Sequence, residues 1–180
     1  MSQIFNGNIL LIFCCIFYLL WWIIAFKPQG AIKGLQSGWL LIPAAVFGAA
    51  AVIMICRGIS SANRDADLFP ISVVIITAVA AYIILLAATW KIMKRPVTTE
   101  LILIVGWTAL ASSEVSVLYG TGAYSWLAAV IFTAVILALA VISLICYLLY
   151  YNLDRIKGYI CGIIPLIAVL LTALAMNITM

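Results

Sequence analysis

Glu114 is the one ionisable acid or base that falls inside an apolar run of this chain. It precedes Tyr119 by five residues, which places it roughly 7–8 Å of helix inside the boundary that the tyrosine marks. A carboxyl at such depth is costly in hydrocarbon, so it faces protein or a water-filled cavity rather than lipid. The chemistry it could serve is proton-coupled movement of a solute; the alternative is a buried hydrogen bond between helices. On the same segment, Thr108, Ser112 and Ser116 recur at every fourth position and lead to Tyr119. At about 100° per residue these four share a helix stripe roughly 80° wide. Glu114 lies on the far side, beside Trp107, Ala111 and Leu118. The stripe either lines a polar pathway or returns its hydroxyls to the helix's own carbonyls. Glu114, Trp107, Thr108, Ser112, Ser116 and Tyr119 are therefore the candidate functional residues.

Other chemistries lack the residues they need. The chain has no histidine, which removes the commonest general base and metal ligand and the paired axial ligands of a b-type haem. No intramembrane lysine is present to activate Ser112, Ser113 or Ser116 as a nucleophile, or to carry a retinal Schiff base. No span holds two carboxylates for an aspartyl dyad or a carboxylate-bound metal. Phosphate-binding glycine loops are missing too. The expectation is a protein that is not an enzyme and needs no cofactor.

The elements that must position these residues are membrane spans. Of 180 residues 68% are hydrophobic and 8% charged, with mean hydropathy +1.34; a soluble domain carries roughly 25% charge. A helix needs roughly 20 mostly apolar residues to cross the hydrocarbon core. Six segments qualify, at about 9–26, 39–56, 69–90, 101–118, 126–151 and 159–176. Turn signals separate them: Pro28 with Gly30 and Gly34, Gly58 through Pro70, Lys94 through Thr99, Gly120 with Gly122, and Asn152 through Gly158. Pro70 suits the first turn of the third helix, and Thr98 or Thr99 suits the cap of the fourth, with Glu100 near its positive end.

Orientation is read from basic residues. Lys27, Lys33, Lys91, Lys94, Arg95, Arg155 and Lys157 fall in alternate connectors, against Arg57 and Arg64 on the opposite side. This bias places loops 27–38, 91–100 and 152–158 in the cytoplasm and both termini outside. The segment before the first run holds no Lys or Arg, unlike a cleavable signal peptide. Aromatics cluster in two belts, one with Trp21, Trp22, Trp39, Trp90, Tyr150, Tyr151 and Tyr159, the other with Phe5, Phe69, Tyr119, Tyr124 and Trp126. The basic residues form no patch with interleaved aromatics, so nucleic acid is not an expected partner.

Small residues mark expected helix contacts. Ala44/Gly48 and Ala45/Ala49 are small-xxx-small pairs in the second helix, which is expected to be central. Pro165 should loosen or kink the sixth helix near Gly162. The five cysteines, Cys14, Cys15, Cys56, Cys146 and Cys161, form no C-x-x-C pair and read as small apolar packing residues. Arg64, Asp65 and Asp67 read as a solvated outer loop. Asn177-Ile178-Thr179 matches a glycosylation sequon. Lys27-Pro28 after an aromatic-rich helix, followed by Trp39 and Pro43, is similar to the start of the tryptophan-rich sensory (translocator) family. The likeness stops at that stretch: six spans are read here rather than five, and the proline-rich loop is missing, so no family is assigned.

The expected fold is thus an all-α integral membrane protein, one compact bundle of six transmembrane helices over residues 1–180. The expected function is a small-solute or ion transporter, channel or substrate-binding membrane component of the cell membrane. Its alternative is a non-catalytic assembly, immunity or sensory subunit, with a membrane-protein partner or a second copy beside it.

Overall fold

The computed structural model describes residues 2–26, 37–66, 71–93, 99–150 and 154–180. They form α1 (Ser2–Phe26), a 3-10 turn (Ser37–Leu40), α2 (Leu41–Ala66), α3 (Ile71–Met93), α4 (Thr99–Gly120), α5 (Trp126–Tyr150) and α6 (Arg155–Thr179). Among the described residues no strand occurs, and six helices are long and apolar enough to cross a membrane. Large apolar side chains are exposed on each of them, including Phe13, Ile42, Ile76, Leu103, Val141 and Leu171. Water would not tolerate that much exposed hydrocarbon on a monomer, whereas a bilayer requires it. The chain is a multispan membrane protein.

Several helices outrun their apolar segments. The first begins at Ser2 rather than near Ile9, carrying Gln3, Asn6 and Asn8 in helical backbone; Asn8 is buried. The second continues through Arg57 to Ala66, so the stretch expected to be an outer loop from Gly58 is largely helix, and Arg64 and Asp65 lie on it. Helical backbone bonds are made equally well in headgroups or water, so hydropathy marks where hydrocarbon ends and not where the helix ends. Pro70, Asp67, Thr98 and the connector 27–36 fall outside the described residues, as do the side chains of Thr99 and Glu100.

Two compact units divide the chain, Met1–Gly58 with Ile145–Met180, and Ile59–Leu144. In the first, α1 and α2 are antiparallel and in close contact. A Cβ on Gly7 would lie 2.5 Å from Ile55 Cγ1 and 3.3 Å from the Ala51 carbonyl, and one on Gly58 would lie 3.1 Å from the Ile4 backbone nitrogen. Further along, the Cβ position of Gly48 is 3.1 Å from Cys14 Sγ. The pairs Ile4–Gly58, Gly7–Ile55 and Cys14–Gly48 therefore keep one register, and dispersion between close backbones replaces the hydrophobic drive that lipid cannot supply. Ala44 shares this buried face, while Ala45 and Ala49 are exposed.

Near the other end of α1, Trp22 seats its indole on Gly162 of α6, and its Nε1 donates to the Tyr159 carbonyl at 3.3 Å. Phe26 stacks on the same indole at 4.4 Å. Trp22 is thus a packing anchor between helices. Tyr124, in the second unit, is buried and stacks on Phe132 with centroids 5.2 Å apart. Trp39, Trp90, Trp126 and Tyr119 do stand exposed near helix ends, the placement amphipathic rings favour at headgroup depth. The sixth helix runs unbroken through Pro165.

Candidate binding cleft

The second unit is built on α4, whose two sides have different fates. Ala111, Glu114 and Leu118 are all buried, Glu114 at 2% exposure. The opposite side carries the hydroxyl stripe. It faces a cleft of about 580 Å³ walled by α3, α4 and α5, within the roughly 300–1,000 Å³ range of small-molecule sites. Thr108, Ser112 and Ser116 lie along its wall with Ala109 and Ser113; Thr77, Ala78 and Ala81 of α3 and Leu137, Ala140 and Val141 of α5 complete it. Small residues on α4 and α3 leave the space that bulkier neighbours on α5 do not fill. Thr77, Leu137 and Val141 are themselves exposed, so the cleft is open rather than enclosed.

Its polarity is largely spent inside the helices. Thr108 donates to the Ile104 carbonyl at 2.7 Å, Ser113 to Ala109 at 2.7 Å, Ser116 to Ser112 at 3.0 Å and Thr77 to Val73 at 2.8 Å. Each of these hydroxyl protons is committed to its own helix, leaving only lone pairs toward the cleft. No charged side chain lines it. The arrangement can hold an apolar body and accept a hydrogen bond or two; it does not offer the several oxygens that replace a cation's hydration shell.

The six residues singled out from sequence are therefore not one site. Thr108, Ser112 and Ser116 share the cleft. Tyr119 lines an adjoining hollow of about 450 Å³ between α4 and α5, where Ser116 meets Trp126, Thr133 and Ala134. Glu114 and Trp107 line neither space. Glu114 lies in the interior and has an interaction partner there. The contributions of α3 and α5 escaped sequence reasoning because alanine and leucine carry no chemical signal; the spacing Thr77–Ala81, matching Thr108–Ser112, is the one hint. Among the described residues no three potential metal-ligating side chains gather.

No family model, curated protein or solved structure matches the chain.

Two other sequence signals have definite places. The sequon lies inside α6: Asn177 Nδ2 donates to the Phe5 carbonyl at 3.3 Å, and Thr179 Oγ1 returns to Ala175 at 2.9 Å. At the other end of α6, Asp154 and Lys157 are exposed and 4.0 Å apart, a surface ion pair of little energetic weight.

Proposed function

We propose that the chain is a non-catalytic, substrate-binding component of the cell membrane, serving transport of an apolar or amphiphilic small solute held in the α3–α4–α5 cleft. The observation that carries this reading is the combination of a ligand-sized volume with four of its five lining hydroxyls, those of Thr77, Thr108, Ser113 and Ser116, turned back on their own helices. Such a lining rewards hydrocarbon and tolerates one donor group, and it offers a hydrated ion only scattered hydroxyl lone pairs, with no carboxylate or carbonyl ring to replace its water. The open cleft, read as facing lipid, supplies a route of entry from the bilayer. Loops 27–38, 91–100 and 152–158 face the cytoplasm in this proposal, by the bias of basic residues.

The test is uptake into liposomes. Amphiphilic and ionic solutes are screened against the wild type, Ser112→Phe and Glu114→Gln. The wild type moves at least one amphiphile above empty liposomes, Ser112→Phe abolishes that flux, and Glu114→Gln retains it. Flux confined to ions, or insensitive to Ser112→Phe, sinks the proposal.

A second reading is favoured by the ladder Thr108, Ser112, Ser116: small residues four apart also accept a neighbouring helix. In that case the chain is a non-catalytic assembly, immunity or sensory subunit, and the cleft receives a helix of a membrane partner or of a second copy. A cysteine at Ser112 would then cross-link to another polypeptide and not to an acyl probe.

A further inference from the structure

Within the first unit, the end of α5 from Ile145 and the start of α6 run antiparallel and converge beside the connector. A Cβ on Gly158 would lie only 3.3 Å from the Tyr150 carbonyl oxygen. About one turn further along each helix, this register sets Cys146 opposite Cys161, close enough for the two side chains to interact. Both are free thiols, Cys146 buried and Cys161 half-buried. Disulfides need Cα atoms roughly 4.4–6.8 Å apart, a separation that helices reach only where a residue such as Gly158 lets them touch. A further feature acts on the same turn. Pro165 has no N–H to return to the carbonyl of Cys161, its partner four residues back, so the bond that would fix that turn of α6 is missing.

We propose that Cys146 and Cys161 are a reversible dithiol–disulfide pair, closed by a lipid-soluble hydroperoxide, that staples α5 to α6. This inference does not depend on the cleft or its ligand. Cys161, the more accessible thiol, attacks the peroxide's terminal oxygen. The O–O bond breaks, the alkoxide leaves with the thiol proton as an alcohol, and Cys161 becomes a sulfenic acid. Cys146 then attacks that sulfur; the S–S bond forms, the S–O bond breaks and water departs. Two thiols and one hydroperoxide give one disulfide, one alcohol and one water, and a dithiol reductant reverses the change. The small shift from contact to bonded sulfurs falls on the turn that Pro165 leaves loose.

The full chain in lipid nanodiscs is treated with tert-butyl hydroperoxide, and free thiols are then counted after unfolding and alkylation. The expected result is that the five thiols fall by two. Peptide mapping finds Cys146 joined to Cys161, and reductant restores both. Cys161→Ser abolishes the joined peptide, while Cys14→Ala/Cys15→Ala/Cys56→Ala keeps it. The same treatment of the chain unfolded in SDS separates folded proximity from chance pairing. Retention of all five thiols in nanodiscs overturns the proposal. So does linkage between other cysteines, or a product mixture identical to that of the unfolded chain.

Discussion

Glu114 drew notice because an acid in an apolar run is rare and costly, and the structure gives it a partnered, interior place away from the cleft. A buried group of that kind matters to stability first. Glu114→Ala should cost about 1–3 kcal/mol by leaving its partner unsatisfied, read as a lowered thermal midpoint in detergent, with Glu114→Gln retaining most of it. An Ala variant as stable as the wild type would mean that the carboxyl is not holding the interior. The hydroxyls were legible as a stripe because a period of four places them on one side of a helix. Their donors' targets were a matter of local chemistry, and back-bonding was one of two outcomes visible in advance. Which wall stood opposite was not visible, since nothing in Ala78, Ala81 or Ala140 distinguishes a cleft from a helix contact.

Among the helices, existence was easy to read and length was not. The six apolar runs stand out because lipid selects them, yet Gln3, Asn6 and the segment from Arg57 to Ala66 extend helices past those runs by ordinary backbone bonding. Partner choice was hidden for another reason: it depends on pairs, such as Trp22 on Gly162 or Gly7 on Ile55, that a single sequence does not couple. The Trp22–Gly162 seat makes a sharp prediction. Gly162→Val must displace the indole and should destabilise the fold by about 1–3 kcal/mol through overpacking. Gly106 of α4, with nothing near its Cβ position, should accept alanine with a gain of about 0.5–1 kcal/mol from helix propensity. Equal midpoints for the two variants would refute the packing described. The sequon provides a second check at this scale. With Asn177 bonded to the Phe5 carbonyl and Thr179 to its own helix, translation into microsomes should yield no endoglycosidase-sensitive shift; a shift would mean that this end of α6 unwinds.

For the molecule as a whole, the exposed hydrocarbon of all six helices requires a bilayer, while the side on which each loop lies follows from basic residues alone. In a chain freed of its native cysteines, a cysteine at Gly120 should react with an impermeant maleimide from outside intact cells, and one at Gly34 should not. The reverse pattern would invert the topology while leaving the fold intact. The cleft belongs to this scale too, because a space lined by aliphatic groups and self-bonded hydroxyls has meaning only in an apolar solvent, where its contents compete with acyl chains. The most direct measurement of that central claim is photolabelling of the reconstituted chain with a diazirine-bearing fatty acid, followed by peptide mapping. Labelling should concentrate on the α3, α4 and α5 segments lining the cleft, and Ser112→Phe should reduce it about tenfold, the factor that 1.4 kcal/mol of binding represents. Labelling spread evenly over all lipid-facing helices and unchanged by Ser112→Phe would contradict the account.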